Sequence, residues 1–325
     1  MSGSLDQDVF CYPHLNSSCR KPTHPYVEAM LIYVLLSCVS LITVALNLLV
    51  IISIAHFRLT PDSVVNSKWL GPNCFFILIS ERSIYIESCW NLGDIVCSSY
   101  YLIDYIITSA SVANMVLISV DRYIAICDPL NYHTKVTMKR TKSCILLCWL
   151  LSVVYRMVIM HDQLKHPGMS NTCAGECVVI IHFISGAIDL VCTFVIPILI
   201  IIVLYLRVFV VAVSQARATR SHILSANMPQ MGNVTAKKKE LKAAGTLGIV
   251  VVVFLVCFCP YYVPSLLGED TAVDASSVDV EIWLAHFNSC LNPVIYAFFY
   301  PWFRKSIKLI LTMQIVKPGS RDWKM

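Results

Sequence analysis

Charge is what this sequence has least of. Only 14% of its 325 residues are Asp, Glu, Lys or Arg, whereas 57% are hydrophobic. A water-soluble domain carries about a quarter charged residues, so composition excludes that class. Other absences narrow the field. There is no Gly-rich phosphate loop, no nucleophile paired with a base and no cluster at metal-ligand spacing, so neither an enzyme nor a cofactor is expected. Nothing suggests nucleic acid as a partner. Internal repeats of the transporter kind are missing, as is any low-complexity tract. The first 25 residues are polar and lack the apolar core of a cleavable signal, so the first apolar span is expected to direct insertion itself.

Long apolar runs are what the sequence has instead. The stretches "LIYVLLSCVSLITVALNLLVIISIA", "CILLCWLLSVVYRMVIM", "FVIPILIIIVLYLRVFVVAV" and "LGIVVVVFLVCFCPYYVP" each approach or exceed the ~20 residues that cross a bilayer. This is the composition of a polytopic membrane protein. Helices are expected at roughly 28–55, 94–126, 141–160, 178–214, 237–266 and 279–300. Basic residues cluster in three places: Lys135 to Lys142, Arg207 to Lys242, and Arg304 to Lys308. The excess of Lys and Arg on cytoplasmic segments puts all three inside. The stretch "GEDTAVDASSVDVE" has five acids and no base, and falls on the opposite side. It could draw cations inward, although a solvated loop is the preferred reading. After Pro301, "WFRKSIKLILTM" places apolar and basic residues at helical spacing, as in a short interfacial helix against membrane lipid. The loop 215–236 reads as polar and mobile.

Two carboxylates stand out. Asp189 lies within "SGAIDLVCTFVIP", where an ionised group is costly and usually faces the bundle interior with a partner. Asp104 precedes Arg122 by 18 residues, which is five turns at 3.6 residues each, so both project from one helix face about 27 Å apart.

The motifs around them resemble a known family. Asp121-Arg122-Tyr123 at the inner end of a span, followed by Pro129, resembles the signature of rhodopsin-like G-protein-coupled receptors. Asn292-Pro293 and Tyr296 match that superfamily's seventh-helix motif, and Asn47, Trp149, Pro197 and Pro260 agree. The longer pattern Asn288-Ser289, Asn292-Pro293, Tyr296, Tyr300 and Trp302-Phe303 looks like the fingerprint of trace amine-associated receptors. The implied fold is an all-α seven-transmembrane bundle with a short interfacial C-terminal helix. Residues 1–27 would be an extracellular segment, 28–300 the seven-helix domain, and 301–325 the interfacial helix and cytoplasmic tail.

The resemblance implies an amine receptor in the plasma membrane, N-terminus outside, that couples to a stimulatory heterotrimeric G protein and raises cyclic AMP. Asp104 becomes the counter-ion for the ligand ammonium. Asp189, eight residues before Pro197, sits at pocket level on the fifth helix. Two acids facing one pocket suit a short diamine, doubly protonated at neutral pH. A ligand with one charge would leave Asp189 buried and unpaired, at a cost of about 3–5 kcal/mol. The resemblance points to fish-type, diamine-sensing olfactory members. Tyr261, Tyr262, Phe258, Trp283 and His286 are the expected pocket walls, with Phe258 where most members have tryptophan and His286 where tyrosine is usual. The inner readout assigned by the family is release of Arg122 to the G protein, with Asp121, Tyr123, Asn292, Pro293 and Tyr296 as its coupling set.

Cys177 matches the family's loop cysteine, which implies a Cys97–Cys177 disulfide; an extra family tether would join Cys173 to Cys19 or Cys11, with Cys19 favoured. Asn16 is a glycosylation acceptor on the outer side, whereas Asn233 faces the cytosol.

One helix is out of pattern. The seventh span must lie between 58 and 93, yet its longest apolar run is "CFFILI" followed by Glu81 and Arg82, too short to cross alone. The family's mid-span aspartate is absent there. An incorrect exon or frame choice, or a decayed non-functional copy, explains this better than a divergent working helix. Outside the diamine reading stand a receptor for single-charged biogenic or trace amines and, last, an amine transporter. Replacing Asp189 by alanine would separate the two receptor readings.

Overall fold

The computed structural model describes residues 10–15, 17–20, 26–57, 89–225, 248–249, 251–260, 262, 271–274, 284, 287, 291, 294 and 301–316. The atypical stretch 58–88, Asn16, Tyr261, Trp283, His286, Asn292, Pro293 and Tyr296 lie outside them.

The first helix, Tyr26–Phe57, has 32 residues, or about 48 Å at 1.5 Å per residue. The Asp94–Cys127 helix has 34, and the Met138–Ile159 helix has 22. The fifth span is built from three pieces in direct succession: a helix at Phe183–Leu190, a π turn at Val191–Val195, and a helix at Ile196–Ser225. Among the described residues, three helices are long and apolar enough to cross a bilayer: Asp94–Cys127, Met138–Ile159 and Phe183–Val211. A shorter apolar helix covers Val251–Pro260.

The Asp94 helix is central, packing against both the Met138 and the Ile196 helices. Its Val112, Met115 and Ile118 meet Ile145, Leu190, Ile201, Val251, Phe254 and Phe258 in one buried cluster. The outward faces are apolar as well. On the Met138 helix Leu146, Leu147, Leu150, Leu151 and Val154 are exposed, one face at helical spacing, which in a membrane meets lipid rather than water. Hydroxyls inside the spans are satisfied locally. Ser109, Ser119, Ser152 and Thr193 each donate to the carbonyl four residues back, the usual solution where no water is at hand.

Three expectations need correction. The fifth helix does not start at 178: Val178–Ile181 is a strand paired antiparallel with Thr271–Asp274, Val178 opposite Asp274. Four β-branched residues in a row favour extended backbone. The acidic stretch 269–281 is therefore not a purely solvated loop, since four of its residues form the partner strand. The same helix also runs on to Ser225, through part of the stretch read as mobile. Its "SQARAT" is rich in good helix formers.

The chain after the last span begins with a helix at Pro301–Leu311, as expected. Phe303, Ser306 and Leu309 are buried while Arg304, Lys305 and Lys308 are exposed, and it packs against the first helix.

Candidate functional site

Three disulfides gather at the end of the bundle where the Asp94 helix begins. Cys97–Cys177 fastens the strand-bearing loop to the start of the Asp94 helix, and Cys19–Cys173 ties the N-terminal segment to that loop. Both match expectation. A third, Cys11–Cys89, was not anticipated, because Cys89 adjoins the out-of-pattern stretch. Main-chain bonds reinforce the strap: Cys19 N–H donates to Ala174 C=O and Ala174 N–H to Ser17 C=O. Gly175 adopts φ +100°, and a Cβ there would come within 2.8 Å of Cys11 Cβ. Only glycine suits that position.

Below this cap the Asp94 helix carries Asp104, half-buried, and the buried rings of Tyr101 and Tyr105, which stack on each other with centroids 6.3 Å apart. The ring of Tyr105 lies 5.2 Å from the guanidinium carbon of Arg156. Arg156 comes from the Met138 helix and is only 2% exposed. Its Nη1 is 2.9 Å from Asp189 Oδ1, and its Nε donates to Ser109 Oγ. Ser109 is five residues past Asp104, about 7.5 Å deeper along the helix.

This overturns one step of the sequence reasoning. Asp189 is buried as expected, but it is not left unpaired by a ligand with one charge, because Arg156 already neutralises it. The signal was present: an arginine inside the apolar run "SVVYRMVIM" is as costly as an aspartate and calls for a partner.

Two further groups reach the same carboxylate oxygen. Tyr155 Oη donates to Asp189 Oδ1 at 3.1 Å, and the Thr193 hydroxyl, which donates chiefly to the Asp189 carbonyl at 2.7 Å, lies 3.3 Å from it. Asp189 Oδ2 takes none of these bonds. The Thr193 hydroxyl also shares a 3.0 Å hydrogen bond with Tyr262 Oη. Thr193 lies in the π turn, four residues before Pro197. Proline has no N–H to return to the Thr193 carbonyl, and a widened turn accommodates that break. Tyr262 is 2% exposed and stacks on Phe194 at 4.4 Å; Phe258, 3% exposed, packs on Phe254 at 4.5 Å. Of the five expected wall residues, the structure thus describes these two, both in the packed core, and Tyr262 adjoins the Asp189 cluster.

The other end of the Asp94 helix carries a second polar group. Asp121 is buried and accepts bonds from the Arg122 guanidinium through Nε, at 3.0 Å, and through Nη2. Tyr132 Oη donates to the other oxygen, Asp121 Oδ1, at 3.0 Å. Tyr132 opens a short helix, Tyr132–Lys135, and its place in this lock was not legible beforehand. Tyr123 beside it is half-buried. In the loop, Asp128 Oδ2 is 2.7 Å from Lys135 Nζ, and the hydrogen bond from that ammonium holds the Asp128 carboxyl below its ordinary range.

Comparison with known proteins agrees with this layout. The family model for the 7 transmembrane receptor (rhodopsin family) matches residues 73–296. Trace amine-associated receptor 13c of Danio rerio is 34% identical over 99% of this chain and 97% of its own length. Trace amine-associated receptor 8a of Rattus norvegicus is 36% identical over 95% of this chain and 94% of its own. For trace amine-associated receptor 1 of Macaca mulatta the figures are 33%, 97% and 98%. The chain therefore belongs to the rhodopsin family of seven-transmembrane receptors and, within it, to the trace amine-associated receptors, multi-pass G-protein-coupled receptors for amines and not enzymes.

Proposed function

We propose that this receptor is switched by an amine carrying one ammonium, held by Asp104, and that it signals through a stimulatory G protein and cyclic AMP. It would sit in the plasma membrane with its N-terminal segment outside, glycosylated at Asn16, in an odour-sensing cell. The observation that carries the reading is a single unbroken helix, Asp94–Cys127. Asp104 lies toward its disulfide-capped end and the Asp121–Arg122 pair at the other. A carboxylate beside aromatic rings suits an ammonium, which gains both ion pairing and cation–π attraction. A ligand shifts such a receptor only through its differential affinity for two states.

A short diamine is the second reading. It is favoured by Asp189 Oδ2, which accepts no hydrogen bond from the neighbours that fill Oδ1. Against it stands Arg156, which already supplies Asp189 with a positive charge.

The test is cyclic AMP in cells expressing the receptor, against straight-chain monoamines and diamines of matched carbon number. Monoamines should act at lower concentration, and Asp104→Asn should abolish the response at unchanged receptor abundance. A response that survives Asp104→Asn refutes the assignment. Diamines acting at lower concentration would favour the second reading, and uptake of labelled amine would reveal a transporter. Silence toward every amine, with no receptor at the surface, would indicate the decayed copy.

A further inference from the structure

We infer that Arg156 is a specificity-determining residue: a cation built into the protein that occupies the subsite of the second acid and so closes it to a second ligand ammonium. The inference rests on the proposed amine reading and names what selects among amines.

Three observations combine. First, the pair is enclosed, with side-chain exposures of 2% for Arg156 and 12% for Asp189. At such depth two opposite charges stabilise each other strongly, and removing one leaves the other uncompensated. Second, the guanidinium is held from several sides. Asp189 and Ser109 take its N–H groups, and the rings of Tyr105 and Tyr155 lie 5.2 and 5.4 Å from its central carbon. Such a group does not swing aside cheaply for a ligand. Third, its anchors adjoin the amine site on the deeper side. Tyr105 is next in sequence to Asp104, and Ser109 lies on the same helix. An ammonium reaching past Asp104 toward Asp189 therefore meets a fixed positive charge.

Arg156 makes the selection. With it present the charge of Asp189 is already matched, so a second ligand ammonium would meet a guanidinium rather than a carboxylate. Without it Asp189 would be open to a second ammonium, and a ligand with one charge would leave it bare. The same two aspartates thus serve opposite preferences according to the residue at 156.

The experiment uses full-length receptor in detergent and reads thermal stabilisation by a straight-chain monoamine and by its diamine of equal length, so binding is measured apart from signalling. Arg156→Ala removes the cation, Arg156→Lys restores it, and Arg156→Ala/Asp189→Asn removes both charges. The apparent affinity ratio of diamine to monoamine should rise on the order of a hundredfold in Arg156→Ala. It should return to the wild-type ratio in Arg156→Lys and in the double variant. A residue that only held helices together would change melting temperature without moving that ratio. An unchanged ratio in Arg156→Ala overturns the inference.

Should Arg156→Ala fail to accumulate, diamine in the growth medium decides. Recovery by diamine but not monoamine supports the inference; recovery by neither, with the double variant folding normally, makes the pair structural and overturns it. Wild-type receptor unmoved by any amine would refute the proposed function alone. Gain or no gain of diamine binding in Arg156→Ala would still decide the role of Arg156.

Discussion

Replacing Tyr132 by phenylalanine should raise the basal signalling of this receptor. Its hydroxyl donates to Asp121 Oδ1 at 3.0 Å, while Arg122 binds mainly the other oxygen. Tyr132 therefore orients the carboxylate that restrains Arg122. The position of the donor is fixed locally. Asn131 C=O accepts from Thr134 and Lys135 N–H, and Arg140 Nη1 donates to Thr134 C=O at 2.9 Å, tying the short helix to the next span. Phenylalanine keeps the ring and removes the hydroxyl that donates to Asp121.

A hydrogen bond to an ionised group contributes about 1.5–3 kcal/mol. The side chains of Arg122 and Asp121 are 19% and 10% exposed, so the lower end of that range applies. A difference of about 1.4 kcal/mol is tenfold in an equilibrium constant. A receptor resting with about 1% of molecules active would therefore move to roughly 10%. The assay is cyclic AMP without ligand, normalised to surface receptor counted by an N-terminal epitope. Asp121→Asn is the reference, since it removes the ion pair itself and should raise basal signalling at least as far. Asp121→Asn activating while Tyr132→Phe matches wild type would refute the role of Tyr132. Neither variant departing from wild type would refute the restraint on Arg122 as a whole.

Three further outcomes follow from the same geometry. Tyr262→Phe deletes the hydroxyl shared with Thr193. Buried membrane hydrogen bonds average about 0.6 kcal/mol, so melting should fall only slightly, while maximal cyclic AMP response should drop at nearly unchanged amine affinity. Equal loss of both would place Tyr262 at the ligand rather than in the link from the Asp189 cluster to the sixth helix. The Asp128–Lys135 contact has a depressed carboxyl pKa, so its contribution is complete above the unfolded value near 3.9 and fades as pH falls through the lower folded value. Protection of residues 132–135 against hydrogen exchange, corrected for the intrinsic rate at each pH, should accordingly stay constant from pH 7 to about pH 4 and fall only below; loosening near pH 6 would contradict this. Peptide mapping without reduction should find Cys11–Cys89, Cys19–Cys173 and Cys97–Cys177 linkages. Cys11 joined to Cys173 would refute the described cap.

What could be read from the sequence was whatever lies along one helix. Asp104 and Arg122 are related by spacing alone, and the Asp94–Cys127 helix runs unbroken through both. Cys97–Cys177 and Cys19–Cys173 followed from the family pattern. Contacts between helices were harder. Asp189 is conspicuous in its span, but the partner Arg156 lies 33 residues earlier, and hydropathy says only that each is expensive, not that they meet. Tyr132 gives less warning still, since a loop tyrosine is unremarkable until a short helix turns it onto Asp121. The strand at Val178–Ile181 was absorbed into the fifth helix because both are apolar. Only pairing with Thr271–Asp274 separates them.

The cluster around Asp189 explains why a costly pair would persist where lipid-facing neighbours are plain hydrocarbon. It draws on four helices: Ser109 from the third span, Tyr155 and Arg156 from the fourth, Asp189 and Thr193 from the fifth, Tyr262 from the sixth. An apolar replacement of similar volume would satisfy packing as well or better, so stability alone does not require it. What charges add is dependence on geometry. An ion pair held at 2.9 Å loses strength when helices slide, whereas dispersion contacts re-form with new neighbours. Amine binding at Asp104, as proposed, would act one residue from Tyr105, which flanks the Arg156 guanidinium. Displacement there would alter the pair, and the pair is connected through Thr193 and its π turn to Tyr262. That chain of contacts biases the sixth helix only if the cluster has two discrete arrangements. Among the described residues Tyr155, Thr193 and Arg156 all reach Asp189 Oδ1 and none reaches Oδ2, so a second arrangement is open to the carboxylate and would let Asp189 pivot between ligand and helix movement.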